Sequence, residues 1–469
     1  MNVAVLHYHL KPGGVTSVIR HQVQALQGRA SVLVLAGGTE DPELDVPTVL
    51  VGGLSYDADG GERYPPADTV DSLIDAMTGV FGGLPDLLHV HNPTLTKNTH
   101  LLSILDRLQR LGIPLLLHIH DFAEDGRPQA YALGAPYPSD CHYATINLRD
   151  YRHLIRCGLK PEGLHLIPNP VPPLPISPPA DRPPLVLYPV RAIRRKNIGE
   201  AFLLSHFLPE GAPLAITLPP NSPSDILAYE RWKTLCRTWG LNVQFEAGLE
   251  GGFDQLVARS QFMLSTSITE GFGFAFLEPW TAGKAVHGRY LTGILEAFEK
   301  KGVNLSHLYP RIRIPLEWMD AEMLRKRFME TYLTACHQYG ISVVDSQVNR
   351  FVKILLGDGW IDFGLLDEPY QETVIEHLRH HRSDRGRFAA MNPEAVGFGP
   401  ETISPIAIAK NRRAVLGHFG LSDYGSRLMN IYRRVVREVP RHRIDKLALA
   451  RCFLTPDAFS LLKWRPYEP

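Results

Sequence analysis

Short, unbroken apolar runs set the strongest limit on how this chain folds. VAVLHYHL, SVLVLAGG, PTVLVGG, DLLHVHN, PLLLHIHD, HYATINLRD and LHLIPNPV succeed one another through the first third of the sequence. Amphipathic stretches at 15–26, 66–81 and 96–110 lie among them. A strand wetted on one face alternates apolar and polar residues. Runs as evenly apolar as these belong to strands covered on both faces, and they predict a parallel sheet flanked by helices. In open sheets of that kind ligands sit beyond the carboxyl ends of the strands.

The series then stops. Residues 168–184, PNPVPPLPISPPADRPP, contain nine prolines. Such a segment is extended and stiff and enters neither a helix nor a central strand. After it the alternation restarts with LVLYPVRA, APLAITLPP, VQFEAGL, QFMLSTS and KAVHGR as strands. Helices are expected near 198–207, 226–239, 254–259 and 274–282. Beyond Glu317 the pattern becomes mostly helical. The expected organisation is an N-terminal Rossmann-like domain at 1–170, a linker at 171–184 and a second Rossmann-like domain with helical additions at 185–400. Helices without an evident packing partner fill 401–469.

Composition excludes several classes of function. The 469 residues hold 49 Lys+Arg against 49 Asp+Glu, so no global field favours nucleic acid, and a bound phosphate needs a local basic site. No apolar run reaches the length of a membrane span, and the first strand lacks the features of a signal peptide. Five scattered cysteines without a C-x-x-C suit free thiols in a reducing cytoplasm.

Three of the apolar runs end in His-x-His: His7 and His9, His89 and His91, His118 and His120. The two-residue period of a strand puts each pair on one face. Such pairs can chelate a metal, line a cleft that grips a sugar, or cap the sheet edge with hydrogen bonds. The cleft is the preferred reading, with His120 its leading member. Between the first strand and its helix, Pro12-Gly13-Gly14 lets backbone N–H groups approach an anion; it is not a G-x-G-x-x-G fingerprint. In VRAIRRKNI, Arg191 and Lys196 stand five residues apart at a strand end and a helix start, where two cations can hold a diphosphate; taken alone, Arg191, Arg194, Arg195 and Lys196 read as a solvated charge cluster. Thr269-Glu270-Gly271-Phe272-Gly273-Phe274 followed by Glu278 places two carboxylates eight residues apart, with Glu278 expected lower on the same helix face. Carboxylates accept hydrogen bonds from sugar hydroxyls; the alternative is a charge at a helix N-terminus followed by a surface glutamate. The loop DFAEDGR, with Asp121, Glu124 and Asp125, reads as a solvated loop or, with Lys97 and Asn98, as recognition of a hydroxyl-rich acceptor. His377, His380 and His381 read as a surface face.

The stretch TEGFGFAFLEPWTAGKAV resembles the donor-site signature of the retaining GT-B glycosyltransferases of family GT4, a form close to EGFGL-x-x-x-E-A-x-A-x-G-x-P-V. VRAIRRKN is similar to that family's G-R-L-x-x-x-K-G, IPNPV to its I-P-N-G-V, and KPGGVTSVI to its N-terminal glycine loop. DLLHVHN and LLLHIHD stand at its two His-bearing strand ends. The resemblance runs in motif order over residues 1–295. The chain departs from it at Val190, Asn197 and Pro170, where glycine is usual, and at Ala285, where proline is common.

The resemblance implies an α/β GT-B fold, two Rossmann-like domains facing each other across a cleft, with extra C-terminal helices. It implies a retaining, metal-independent hexosyltransferase that takes glucose or mannose from a nucleotide sugar to a small soluble hydroxyl acceptor. A lipid-linked or polysaccharide acceptor is the alternative, and an inactive sugar-nucleotide binding module is the reading from another class. By the same resemblance Arg191 and Lys196 neutralise the diphosphate, Glu278 binds the ribose, and Glu270 the transferred sugar. Gly271, Phe272, Gly273 and Phe274 form the donor loop. His120 contacts the sugar near its hydroxymethyl group, and Gly13 and Gly14 lie close to the reacting centre. The leaving phosphate serves as base, so neither a carboxylate nucleophile nor a cofactor is required. Partners are then the nucleotide sugar and its acceptor, with no nucleic acid and no membrane span; a homo-oligomer stays open.

Overall fold

The computed structural model describes residues 1–60, 64–177, 183–208, 211–357 and 359–468. Residues 178–182 of the expected linker lie outside the described residues. The chain divides into two compact units, one formed by Met1–Val171 with Gly417–Phe453 and the other by Pro172–Leu416 with Leu454–Pro469.

The first unit is built on seven parallel strands: β1 (Asn2–His7), β2 (Ser31–Ala36), β3 (Thr48–Leu50), β4 (Leu87–His91), β5 (Leu115–Ile119), β6 (His142–Thr145) and β7 (Leu164–Leu166). Their order is β3-β2-β1-β4-β5-β6-β7. The direction of winding reverses between β1 and β4, which makes their carboxyl ends the switch point where such sheets bind ligands. The helix Gly14–Leu26 covers one face. The late helix Leu421–Arg437 packs on that helix, with Leu428, Ile431, Tyr432 and Val435 in the same core as Ile19, Val23 and Leu26. The approach is close: a Cβ on Gly425 would stand 2.3 Å from the Ala25 carbonyl oxygen. The C-terminal helices thus are not a separate piece, because 421–437 completes the first unit and Pro405–His418 lies almost wholly in the second.

The second unit holds β8 (Leu185–Arg191), β9 (Leu214–Leu218), β10 (Val243–Gln244), β11 (Ser260–Ser265) and β12 (Val286–Gly288), parallel and ordered β10-β9-β8-β11-β12. Its switch point falls between β8 and β11. A separate antiparallel pair, β13 (Arg313–Pro315) with β14 (Trp360–Asp362), belongs to the helical additions.

Several expected elements change. HYATINLRD is a strand only to Thr145; Asn147 then caps the helix Leu148–Arg156 by accepting from the Asp150 N–H. VQFEAGL keeps a two-residue strand, after which Glu246 turns left-handed and opens a short helix. The helix expected over 274–282 is a 3-10 turn at Phe274–Phe276 and a helix of four residues at Glu278–Thr281. Pro279 cannot donate to the preceding turn, so it can only open a helix there. Glu270 is therefore on a loop, not one helix face above Glu278.

Candidate functional site

The switch point of the five-stranded sheet collects the charged motif residues. Lys196, beyond the end of β8, donates to Glu270, beyond the end of β11, at 2.5 Å. Burial alone would raise the Glu270 carboxyl. Lys196, a hydrogen bond from Ser267 and the charge of Arg195 outweigh it and hold the group below its ordinary value. Arg191, at the end of β8, is exposed, and its Nη1 donates to the Pro219 carbonyl at 3.1 Å. The cation that joins Lys196 beside Glu270 is Arg195, which the motif spacing did not single out.

The turn carrying these cations is held from several sides. Asn197 has φ +53° and ψ +51°, the left-handed conformation that explains the glycine usual at this position; asparagine is among the few other residues that adopt it readily. Its side chain donates to Glu200 at 2.9 Å and accepts from Gln371 at 2.8 Å. Arg194 forms a two-pronged pair with Glu368 at 2.6 and 2.7 Å. Gln371 and Glu368 come from the helix Glu368–His380, so the region after Glu317 buttresses the Lys196 turn.

Glu278 opens its short helix with no hydrogen-bond partner for its carboxyl group among the described residues, and burial pushes it up to about 7. Of the donor-loop residues, Gly273 is left-handed at φ +99°. Gly271 precedes it on the same loop. Phe272 packs inward against Phe274 and Phe298, with ring centres 4.9 and 5.3 Å away. Phe272 is thus mainly a core residue that shapes the loop, and Phe274 is half-buried.

In the first unit the strand-end histidines form one buried hydrogen-bonded network. His91 Nδ1 lies 2.8 Å from His120 Nε2, and His89 Nε2 lies 3.1 Å from His118 Nδ1. Gln22, on the helix Gly14–Leu26, reaches both pairs. Its Oε1 is 2.7 Å from His91 Nε2, and its Nε2 is 2.8 Å from His89 Nδ1 and from the Tyr432 hydroxyl. Burial pushes His89 down to about 3 and His120 to about 4, so all four rings are neutral at ordinary pH. His7 is buried nearby and bonds the His91 carbonyl at 3.3 Å; His9 lies beside Tyr56 at the sheet edge.

His89, His91 and His118 bring ligand atoms within 4.8 Å of one another and are the group among the described residues that could gather around a metal. Their donor set is three neutral imidazoles without a carboxylate. A dication there would carry its charge into a fully buried site with nothing to compensate it. All of their nitrogens except His118 Nε2 already pair, with each other, His120, Gln22 or Tyr432.

Gly13 and Gly14 are exposed, with extended backbone at Gly13. A side chain at either would meet no protein atom closer than 3.8 Å. Among the described residues nothing crowds either position. The acceptor-loop residues divide. Asp121 pairs with Arg127 at 2.6 Å. Asn98 is buried and ties down the Gly53 and Ser55 carbonyls. Lys97 stays at the surface with its Nζ 4.6 Å over the Tyr56 ring. Glu124 is 0% exposed, accepts from Tyr137 at 2.9 Å and is pushed up to about 7 by burial, while Asp125 pairs with Arg149. These two acids support the loop from inside, which corrects the picture of a solvated acidic loop. His377 bonds Asp384 at 2.7 Å and stacks on Trp318 and His381, and His380 is exposed.

Gln22, Tyr432 and Gln371 escaped sequence reasoning, and Arg195 read only as part of a solvated charge cluster. Gln22 left one trace, a polar residue among the apolar positions of an amphipathic helix. The others depend on long-range placement that no local pattern carries.

No family model matches the chain. The HepE protein of Anabaena, solved in complex with UDP-glucose, superposes with a TM-score of 0.53 at 13% identity, over 92% of this chain and 99% of its own. The sucrose-phosphate synthase of Thermosynechococcus elongatus gives 0.51 at 15% identity, over 92% and 98%. The fold is GT-B. A curated relative, the mannosylglucosyl-3-phosphoglycerate synthase of Petrotoga mobilis, is 26% identical over 373 residues, covering 70% of this chain and 72% of the relative. No helix among the described residues is long and apolar enough to cross a membrane.

Proposed function

We propose that this chain is a retaining, metal-independent hexosyltransferase of the GT4 type, moving glucose or mannose from a nucleoside diphosphate sugar to a small soluble acceptor. One observation carries the reading. At the switch point of the second sheet, Lys196 keeps Glu270 ionised, and Glu278 stands near it in sequence with a half-buried carboxyl that has no hydrogen-bond partner among the described residues. Negative charge grows on the leaving diphosphate as the sugar departs, and fixed cations stabilise it without a metal. Lys196 and Arg195 supply that charge. Glu270 accepts from hydroxyls of the transferred sugar, and Glu278 accepts from the ribose. The bond from the sugar's anomeric carbon to the diphosphate breaks. A bond to the acceptor oxygen forms on the same face, and the acceptor's proton passes to the leaving phosphate.

The acceptor, on this reading, carries an acid group. The relative's name includes a phosphoglycerate. In this chain Lys97 and Lys11 stand exposed at the carboxyl edge of the first sheet, with the charge of Arg127 acting on Lys97. Five scattered cysteines without a C-x-x-C suit a reducing compartment and hence the cytoplasm. The test compares a phosphoglycerate-bearing sugar with the same sugar lacking the acid, using wild type and Lys97→Ala. The expected result is a preference for the acidic acceptor that Lys97→Ala erodes by raising its KM. Equal use of both acceptors by both proteins would return the reading to a neutral acceptor.

A further inference from the structure

The histidine network has a single amide at its centre. Gln22 is 0% exposed and is the hydrogen-bond partner shared by both imidazole pairs. A neutral imidazole has one donor nitrogen and one acceptor nitrogen, while an amide oxygen only accepts. With Gln22 Oε1 on His91 Nε2, the His91 proton sits on Nε2. His91 Nδ1 is then bare and takes a proton donated by His120 Nε2. That leaves His120 Nδ1 bare. On the other branch the Gln22 amide N–H faces His89 Nδ1, so His89 donates from Nε2 to His118 Nδ1, and His118 carries its proton on Nε2.

At the far end of that branch His118 Nε2 has no hydrogen-bond partner among the described residues, so the tautomer of His118 is set from its Nδ1 side. A flipped amide would reverse every step and place a proton on His120 Nδ1. Amide orientation and ring tautomer are thus one choice, made once for four residues.

We propose that Gln22 is a positioning residue: its amide fixes the tautomer of His91 and, through it, of His120, so that His120 offers an unprotonated Nδ1 as an acceptor for a substrate hydroxyl. Gln22 touches no substrate in this account. It acts from the helix behind the glycine loop, and a proton on His120 Nδ1 would put a donor where the sugar hydroxyl needs an acceptor. The catalytic part of the proposal rests on the reading of His120 as a sugar contact; the tautomer part does not.

The experiment is long-range proton–nitrogen NMR on the full chain with 15N-labelled histidine, in wild type, Gln22→Leu and Gln22→Glu. Assignment would come from single His→Gln variants. The expected wild-type result is a proton on Nε2 of His89, His91, His118 and His120 alike. Gln22→Glu, whose carboxylate also accepts from His91 Nε2, keeps the His120 tautomer and moves the His89 proton to Nδ1. Gln22→Leu gives His120 as a mixture and lowers kcat by about tenfold, the lower end of what loss of an orienting partner behind a histidine costs; acceptor KM stays unchanged. A proton on His120 Nδ1 in wild type would overturn the proposal, as would a Gln22→Leu spectrum in which His120 is unaltered. If Gln22→Leu does not fold, the wild-type and Gln22→Glu spectra decide. Absence of turnover in wild type with the expected spectra would refute the transferase reading and leave the tautomer assignment standing.

Discussion

Lys196 and Glu270 neutralise each other across the ends of two neighbouring strands, and that pairing gives each its task. A nearly buried carboxylate survives ionised because the ammonium, first among its partners, outweighs burial together with Ser267 and Arg195. The ammonium in turn is held at the strand ends rather than loose in solvent. Lys196→Ala is expected to lower kcat/KM by about 100-fold or more, in line with removal of one fixed donor at a developing negative charge; a loss under about fivefold would take Lys196 out of the chemistry. Glu278 makes a pH prediction. Its folded value of about 7 means that the carboxylate form dominates only above that pH. A ribose diol bonds best to the carboxylate, so the donor KM is expected to rise as pH falls from 8 to 6, and Glu278→Gln should flatten the profile. Steady-state kinetics across that range would show it. Glu270 and Glu278 were legible because their spacing with the glycines is specific. Arg195 was not, because the familiar spacing selects Arg191 and only the folded turn brings the charge of Arg195 to bear on the carboxylate.

Elements explain what single residues do not. The apolar runs foretold the parallel strands, and the strand ends foretold where the histidines and the cations gather. The sequence did not show that the face beneath the histidines is covered by Leu421–Arg437, some three hundred residues downstream. Periodicity marks a helix's apolar side without naming what lies against it. This contact is tight at Gly425, where an added methyl would meet the Ala25 carbonyl. Gly425→Ala is expected to destabilise the protein by about 1–3 kcal/mol, read as a lower melting temperature; an unchanged melting curve would mean that the two helices separate easily. Glu124 shows the same principle in a loop. Its acid neighbours suggested water, yet Tyr137 and the surrounding core enclose it. Because its folded value is raised from 4.5 to about 7, the folded state binds a proton that the unfolded state gives up. Its contribution to stability is present below about 4.5 and is lost as pH rises through 7. Glu124→Gln keeps the bond to Tyr137 and removes that loss. It is expected to raise stability at pH 8 relative to wild type by up to roughly 3 kcal/mol, measured by urea unfolding at pH 5 and pH 8. Equal stabilities at both would contradict the burial argument.

The whole chain joins two parallel sheets whose switch points each collect the motif residues of their half, and its last helices return to complete both units. The segment after Glu317, opaque in sequence, proves to hold the Lys196 turn through Gln371 and Glu368. The central claim, that this GT-B chain transfers a hexose from a nucleotide, is met most directly by one assay. Nucleoside diphosphate release would be measured from UDP-, GDP- and ADP-linked glucose and mannose, with a pool of neutral and phosphoglycerate-bearing sugar acceptors, with and without EDTA. The expected result is release from one donor, dependent on an acceptor, insensitive to EDTA and lost in Lys196→Ala. Release abolished by EDTA and restored by a metal would contradict the metal-free mechanism. Tight binding of a nucleotide sugar with no release under any combination would contradict the transferase itself and leave a binding module in its place.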